Sequence, residues 1–280
     1  MTLETKLIPA DHDRRFGGLA RLYGAAGAAR IRAAHIVVVG LGGVGSWAAE
    51  AAARSGVARL TLLDLDHIAE SNINRQVHAI HTTLGQAKVQ AMRERIAQIN
   101  PDCRVDCIEE FVDAANWPDI LSLDSTPDRK QFGVIDACDQ VRAKTAMAAW
   151  AIKNKATFLC VGAAGGKRHA HRVDIEDLSL VTHDPLLAQM RYRLRKEQGA
   201  ARQGKMGVTC VFSREAVLQP SAECAVGQQE DSVETVPENQ AAMSTQSDGS
   251  LNCHGYGSVV SVTSTFGMCA AGWVLNKIAG

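Results

Sequence analysis

An α/β fold is predicted, in which helices cover both faces of a doubly wound, mainly parallel sheet and a C-terminal extension adds antiparallel strands and further helices. The first observation is an alternation: between residues 35 and 161, short apolar runs are separated by longer helix-like segments. Strands that alternate with helices in this way form parallel sheets with helices on both faces. The second observation is that the alternation stops after residue 162, so the rest of the chain adds a different kind of structure.

The individual elements follow from local patterns. Residues 14–34 are predicted to form one or two short helices before the first strand. The clearest helix lies at residues 85–99, where apolar side chains recur at helical spacing, and Asn100-Pro101 ends it. The predicted strands are residues 35–39, 59–64, 104–108, 133–137 and 157–161, and the other helices of this part are residues 46–55 and 142–153.

The C-terminal part carries weaker signals. Residues 219–252 are rich in Gln, Ser, Glu and Ala without any period, which predicts a mobile loop. Residues 259–278 are the most apolar stretch, but they contain Ser, Thr and Gly and end near Lys277, which favours a buried helix or an interface element over a membrane anchor. The other elements predicted here are an outer strand at residues 168–175, a basic helix at 185–198 and a short strand at 208–213.

The charges of the chain are balanced in total but unevenly distributed. With 30 basic and 30 acidic residues, the total charge does not point to nucleic acid. Residues 142–205, however, contain 13 Lys or Arg against 5 Asp or Glu, whereas residues 219–252 contain six acids and no Lys or Arg. The eight cysteines have no regular spacing, and neither a signal peptide nor a membrane-length apolar run is present. We therefore expect a cytoplasmic protein with reduced thiols and no stable membrane insertion.

A glycine-rich turn follows the first strand. Residues 37–46 read VVVGLGGVGS, with Gly40, Gly42 and Gly45 in G-x-G-x-x-G spacing ahead of a helix. Such a turn lets backbone N–H groups approach a phosphate closely, and the helix N-terminus adds partial positive charge. The next strand ends at Asp64, where an acid can bind ribose hydroxyls. A bare glycine motif also fits a tight turn, but together with both strands, the helix and the acid it predicts a Rossmann-like nucleotide site.

The segments after the second strand favour a triphosphate over a dinucleotide. Arg75 lies in the loop S-N-I-N-R-Q with Asn72, and an arginine offers a fixed fork of donors for phosphate oxygens. Lys88 occupies the start of the next helix, where its ammonium group can reach a phosphate or remain solvated on the helix surface. Asp139 follows the fourth strand at the carboxyl edge of the sheet, where it could hold Mg²⁺. Asp136, at the end of that strand, is predicted to be structural.

Five motifs in chain order, G-L-G-G-V-G-S, D-x-D, S-N-x-N-R-Q, G-Q-A-K and D-A-x-D, resemble the ThiF/MoeB/HesA superfamily, the adenylating relatives of ubiquitin-activating enzymes. The resemblance implies that residues 35–165 form an ATP-binding domain in which a substrate carboxylate attacks the α-phosphate of ATP and pyrophosphate leaves. Positioning and charge neutralisation accelerate such a step. The implied ATP site consists of Gly40, Gly42, Gly43, Gly45, Asp64, Asn72, Arg75 and Lys88. The implied catalytic residues are Arg75, Lys88 and Asp139, with Asp139 on the Mg²⁺ side.

Outside the nucleotide core, the chain resembles one group of this superfamily, the tRNA threonylcarbamoyladenosine dehydratases. This resemblance implies ATP-dependent adenylation of the carboxylate of N6-threonylcarbamoyladenosine beside the anticodon, followed by ring closure with loss of water. It also implies a homodimer, with residues 1–34 as an N-terminal helical segment and residues 166–280 as a region for substrate and dimer contacts. The segments that carry it include R-F-G-G-L-A-R-L-Y-G at residues 15–24, A-A-G-G at 163–166, G-K-M-G-V-T-C-V-F-S at 204–213 and G-S-V-V-S-V-T-S-T-F-G at 257–267.

A tRNA partner agrees with the basic middle of the chain, because contacts to phosphates dominate nucleic-acid affinity. Each basic side chain there can equally be a solvated surface residue. The candidates for tRNA contacts are Lys167, Arg168, Arg172, Arg191, Arg193, Arg195, Lys196 and Lys205.

Two departures from the superfamily pattern leave alternatives open. Gly18 stands where related enzymes often carry an arginine that reaches ATP across the dimer, so Arg15 or Arg21 would have to substitute. The zinc-binding C-x-x-C pairs of many sulfur-carrier-activating relatives are missing. The main alternative is an adenylyltransferase for a ubiquitin-like sulfur-carrier protein, with sulfur-transfer proteins as partners and Cys210 or Cys253 as its thiol. An NAD-dependent oxidoreductase is disfavoured by the Arg and Lys at the phosphate positions, and a tRNA-binding scaffold without catalysis by the intact set of site residues.

Overall fold

The computed structural model describes residues 10–122, 130–219 and 256–280. Its strands are β1 (His35–Val39), β2 (Arg59–Leu63), β3 (Arg104–Ile108), β4 (Phe132–Asp136), β5 (Thr157–Val161), β6 (Val173–Asp177) and β7 (Thr209–Ser213). Its helices are α1 (His12–Phe16), α2 (Gly18–Arg32), α3 (Gly45–Arg54), α4 (Lys88–Ile99), α5 (Val141–Asn154), α6 (Pro185–Glu197) and α7 (Val260–Ala279). Short 3-10 turns join several of these elements.

The seven strands form a sheet of order β3-β2-β1-β4-β5-β7-β6. Every neighbouring pair is parallel except β6 and β7, which are antiparallel. The central strands are buried on both faces, as expected for a parallel sheet covered by helices. The predicted α/β class, with a mainly parallel sheet and an antiparallel C-terminal extension, is confirmed.

The C-terminal helix α7 is packed closely against the start of α3. A β-carbon on Gly267 of α7 would lie 2.4 Å from the carbonyl oxygen of Val44 and 2.8 Å from the β-carbon of Trp47. The face of α7 that includes Phe266 and Val274 is fully buried, so the helix belongs to the core, as its composition predicts. Among the described residues, no helix combines the length and the apolarity that crossing a membrane requires.

The differences from the predicted boundaries have local causes. The outer strand predicted at residues 168–175 is β6, which begins only at Val173 because a 3-10 turn occupies the preceding residues. Helix α4 begins at Lys88 rather than at Gly85, whose φ of +79° is not helical. The two N-terminal helices agree with the prediction, and Gly24 adds a kink inside the second of them with φ +71°.

The C-terminal region does not form a separate sheet. Strand β7 pairs in parallel with β5, with Cys160 opposite Cys210, and β6 then adds to the outer side of β7. Residues beyond 165 therefore continue the sheet of the nucleotide-binding part. The loop predicted at 219–252, apart from its first residue, lies outside the described residues, as does Cys253.

Candidate active site

A cavity of about 330 Å³ opens at the carboxyl edge of the sheet, where the strand order reverses between β1 and β4. Open α/β folds bind ligands at this point because the loops diverge to either side of it. One half of the cavity lies at the ends of β1 to β3, and the other half at the ends of β4 and β5. The residues predicted for ATP binding or catalysis that line it are Gly40, Gly42, Gly43, Asp64, Asn72, Arg75, Lys88 and Asp139.

Three positions of the glycine loop have little or no room for a side chain. Gly40 has a φ of +86°, and a β-carbon on it would lie 3.0 Å from backbone atoms of Ala137. A β-carbon on Gly45, the first residue of α3, would lie 1.8 Å from the carbonyl oxygen of Gly40. A β-carbon on Gly43 would lie 3.1 Å from the side chain of Arg75. The loop is therefore held between the end of β4 and Arg75, with its backbone close to the cavity.

Asp64 connects the predicted ribose position to the glycine loop. Its Oδ2 accepts a hydrogen bond from the N–H of Leu41 at 2.6 Å, and its Oδ1 accepts one from the N–H of Asp66 at 2.9 Å. Lys88 is buried, with its Nζ 2.6 Å from Asp66 Oδ2 and 3.7 Å from Asp64 Oδ1. Burial raises the pKa of Asp64, and the attraction to Lys88 opposes that shift. Lys88 thus pairs with two carboxylates at the cavity wall, more closely with Asp66 than with Asp64, and its contact with a phosphate stays a prediction.

Arg75 is fixed at the cavity through its main chain and one of its nitrogens. Trp47 on α3 donates a hydrogen bond from Nε1 to the carbonyl oxygen of Arg75 at 2.9 Å. The Arg75 Nη1 donates to the carbonyl oxygen of Ser71 at 2.5 Å and to Asn74 Oδ1 at 3.0 Å. A guanidinium group has five N–H donors, so these contacts orient the group and leave further donors for phosphate oxygens.

The end of β4 carries two acids in different surroundings. Asp139 is exposed in the turn that lines the cavity. Asp136 is fully buried and pairs with the equally buried Lys144, whose Nζ lies 3.0 Å from Asp136 Oδ1. The thiols of Cys138 and Cys160 donate to the Asp136 carboxylate at 3.1 Å and 3.2 Å. Of the two acids, Asp139 is the one that can meet a ligand in the cavity.

The donor set at this turn fits Mg²⁺ only together with a phosphate. Within residues 10–122, 130–219 and 256–280, no cluster of three or more His, Cys, Asp or Glu side chains is placed to hold a metal ion. Mg²⁺ usually keeps several waters and binds through one or two carboxylates plus substrate phosphates. The exposed carboxylate of Asp139, near the glycine loop, matches that requirement. Asp139 and the phosphate oxygens of ATP would hold the ion, and the ion would supply charge neutralisation there.

The structure corrects one of the predicted tRNA contacts. Lys167 is buried, with only 2 % of its surface exposed, and its amine donates to the backbone carbonyls of His183 and Glu215. Its interior position removes it from a phosphate backbone, so the prediction for Lys167 is wrong. Arg191 donates to two backbone carbonyls that precede α6, and its role in tRNA binding stays a prediction. The same holds for the candidates that are at least partly exposed, namely Arg168, Arg172, Arg193, Arg195, Lys196 and Lys205.

Several residues of the cavity were not identified from the sequence. Residues 162–165, Tyr256 and Thr263 line it, mostly on the β4–β5 side. The backbone around Tyr256 is tied to both halves of the site, because the next residue, Gly257, accepts a hydrogen bond from the N–H of Gly166 at 3.0 Å. One residue further on, the Ser258 carbonyl accepts one from Asn74 Nδ2 at 3.1 Å. These segments are distant in sequence, and no local pattern indicates that they meet.

A buried histidine lies behind the Arg75 loop. His78 is 2 % exposed, and neither of its ring nitrogens has a hydrogen-bond partner in the described part of the chain. Burial, with the positive charges of Lys88 and Arg95, lowers the pKa of His78 to about 4. The folded protein therefore keeps this histidine neutral at pH values where an unfolded chain protonates it.

Acid should destabilise the protein through His78. Between pH 7 and pH 5 the unfolded chain takes up this proton and the folded protein does not, so we expect a loss of about 2 kcal/mol in the free energy of unfolding from this residue. Urea unfolding of the wild type and of His78→Leu at both pH values measures it. On going from pH 7 to pH 5, the free energy of unfolding should fall less in the variant than in the wild type, by about that amount. Equal losses in both proteins would contradict a buried, neutral His78.

Together, the cavity where the strand order reverses, the glycine loop, Asp64 at the end of β2, and Arg75 and Lys88 beside it are the features expected of ATP-dependent adenylating enzymes with a Rossmann-like fold. The chain belongs to the ThiF family, whose model matches residues 13–280. This agrees with the superfamily that the five sequence motifs resemble.

The chain is also similar over nearly its whole length to individual proteins with known names. The chain is 40% identical over 270 residues to the tRNA threonylcarbamoyladenosine dehydratase of Escherichia coli strain K12. The matched region covers 95% of this chain and 93% of that protein. It is 37% identical over 271 residues to the dehydratase of the same name from Haemophilus influenzae, covering 96% and 94%. A crystal structure of the E. coli dehydratase in complex with ATP superimposes with a TM-score of 0.78 at 37% identity and covers 97% of each chain.

Proposed function

We propose that this protein uses ATP to adenylate the carboxylate of N6-threonylcarbamoyladenosine in tRNA and then closes that side chain into a ring with loss of water. The observation that carries this proposal is the continuous cavity between the ends of β1 and β4, where the strand order reverses. The predicted ATP residues line one half of this cavity, and an acceptor can enter the other half. The ATP complex of a relative that is alike over nearly the whole chain supports ATP as the nucleotide.

The chemistry follows from the two halves of the cavity. ATP lies over β1 to β3, with its ribose at Asp64 and its phosphates between the glycine loop and Arg75. The acceptor carboxylate approaches over β4 and β5, and one of its oxygens attacks the α-phosphorus while pyrophosphate leaves. A nucleophile of the same side chain then displaces AMP, which carries away the oxygen that is lost as water. Arg75 neutralises negative charge that builds up on the phosphates. Asp139 would hold Mg²⁺, which would supply further charge neutralisation there.

The tRNA and the dimer are parts of the same proposal. Exposed basic residues such as Arg168 and Lys205 would contact the tRNA backbone. Exposed apolar side chains on α2 and α7, Leu22 and Met268 among them, are available for contact with a second copy. We expect a cytoplasmic homodimer.

The sulfur-carrier alternative finds less support. Cys210, one of the two thiols considered for it, is fully buried in β7. A thiol that forms a persulfide or a thioester has to be accessible to its partner. Cys210 in this position acts as a small core residue.

Pyrophosphate release tests the function directly. We expect purified protein with ATP and Mg²⁺ to release pyrophosphate when tRNA carries threonylcarbamoyladenosine, and to stay near background with the same tRNA lacking the modification. Mass spectrometry of the nucleosides should show a product lighter by one water. Stimulation by a ubiquitin-like carrier protein, with no response to modified tRNA, would favour the alternative instead.

Tyr256 lines the cavity beside Gly165, in the half that the acceptor would enter, and we propose that its ring stacks on the adenine base of the acceptor. We expect Tyr256→Ala to raise the KM for modified tRNA about tenfold, since base–aromatic stacking has that order of magnitude, whereas Tyr256→Phe should stay near the wild type. The affinity for ATP, measured by calorimetry, should be unchanged in both variants. A rise in ATP Kd with an unchanged KM for tRNA would place Tyr256 on the nucleotide side.

A further inference from the structure

The ammonium group of Lys144 lies beneath the turn that presents Asp139. Its Nζ is 2.8 Å from the carbonyl oxygen of Cys138, 3.0 Å from Asp136 Oδ1 and 3.4 Å from the Asp136 carbonyl oxygen. The side chain is fully buried and is not part of the cavity wall. Lys144 therefore contacts the main chain of the turn from below, while Asp139 is exposed above it.

The turn is held on its other side by the glycine loop. The N–H of Ala137 donates to the carbonyl oxygen of Val39 at 2.8 Å. The bare α-carbon of Gly40 packs against the peptide between Ala137 and Cys138, where a β-carbon would come within 3.0 Å. The residue directly before Asp139 is thus fixed between the glycine loop and the Lys144 ammonium.

Both side chains of the Lys144–Asp136 ion pair are fully buried. Well-packed apolar residues of similar volume often replace such pairs at no cost in stability. Burial acts to lower the pKa of Lys144, but Asp136 raises it above its usual value, so the lysine keeps its charge and does not transfer its proton to a substrate. What the ammonium provides, and an apolar side chain would not, is a directed hydrogen bond to the Cys138 carbonyl.

We propose that Lys144 is a positioning residue that orients the Asp139 carboxylate towards the cavity through the Cys138 carbonyl. The inference rests on the proposed function, in which Asp139 meets the metal-bound phosphates of ATP. It assigns to a buried side chain, which touches neither substrate nor nucleotide, control over the geometry of a residue that does.

The experiment compares the affinity for ATP with and without the metal. Lys144→Met alone would leave the Asp136 charge buried without its partner, so the main variant is Lys144→Met/Asp136→Asn, which removes both charges. Calorimetric titration with ATP is performed once in Mg²⁺ and once in EDTA. We expect the variant to lose about tenfold in affinity in Mg²⁺ and to match the wild type in EDTA.

Two controls separate positioning from general loss of stability. Asp139→Asn should lose the same Mg²⁺-dependent increment in ATP affinity. Combining it with Lys144→Met/Asp136→Asn should have no further effect on that affinity. Arg95→Met, which removes a partner of the buried Glu50 on α3, should lower the melting temperature and leave the Mg²⁺-dependent increment unchanged.

The outcomes are distinguishable. A folded double variant that keeps the wild-type increment overturns the role of Lys144 and leaves the proposed function intact. A wild type whose ATP affinity does not respond to Mg²⁺ overturns the metal role of Asp139 and the inference with it. If the double variant does not fold, Lys144→Arg takes its place. This variant keeps the charge but moves the donors relative to the Cys138 carbonyl, so we expect the same loss of Mg²⁺-dependent ATP affinity. A folded Lys144→Arg with the wild-type response to Mg²⁺ would overturn the inference.

Discussion

Replacing Arg75 with alanine is expected to lower tRNA-dependent pyrophosphate release at least about a hundredfold, because loss of one preorganised donor to a developing oxyanion costs that much. The fold should survive. The Arg75 side chain packs against Gly43 at the surface of the cavity, and its main chain stays bonded to Trp47. Steady-state release of pyrophosphate from ATP with modified tRNA measures the effect, and circular dichroism checks the fold.

Two further variants show whether the arginine fork matters. Arg75→Lys keeps the charge but lacks the planar pair of donors, so we expect it to recover only part of the activity. Arg93→Ala removes an exposed arginine of α4 that does not line the cavity, and it should leave turnover unchanged. Near-normal turnover in Arg75→Ala would remove Arg75 from the mechanism.

Gly45→Ala is expected to destabilise the protein by about 1–3 kcal/mol, the usual cost of overpacking. The new β-carbon would lie 1.8 Å from the carbonyl oxygen of Gly40 and 3.2 Å from the β-carbon of Ala137. Both partners are held by the sheet and the loop, so the backbone of the glycine loop has to move. Urea unfolding gives the loss of stability, and calorimetry should show weakened ATP binding in the fraction that remains folded.

Gly42 provides the matched control in the same loop. A β-carbon on Gly42 would meet no other atom within 4 Å, and the residue lines the cavity. Gly42→Ala should therefore leave the free energy of unfolding unchanged while it reduces ATP affinity, because the methyl group occupies space meant for the nucleotide. Equal stability of Gly42→Ala and Gly45→Ala would contradict the packing described for this loop.

The predicted site residues that the structure brings to the cavity rest on local patterns in the sequence. The glycine spacing, the apolar strand before it and the acid at Asp64 lie on consecutive elements, and parallel strands bring their ends together automatically. Arg75, Lys88 and Asp139 follow the same logic, since each comes shortly after a strand or at the start of a helix. Apart from Gly45, the glycines of this loop line the cavity together with Asp64, Arg75, Lys88 and Asp139, although the contacts of each with ATP stay predictions.

Local patterns predict the ends of helices and strands, and the burial of individual side chains, less well. A lysine in a polar loop is normally solvated, yet Lys167 is enclosed because residues 183 and 215 supply carbonyl groups around its amine. Lys144 resembles any helical lysine in sequence, and it is buried because Asp136 ends the neighbouring strand below it. Both outcomes depend on which segments meet in space.

The sequence by itself determined the alternating strands and helices, the glycine turn and the order of the polar residues along the strand ends, because these depend on neighbours within a few residues. Only the tertiary structure decided that β7 inserts between β5 and β6, that Tyr256 reaches the cavity and that Lys144 supports the turn of Asp139. Those features join segments far apart in the chain. Their positions follow from packing and from the pairing of buried polar groups, which no local pattern of residues records.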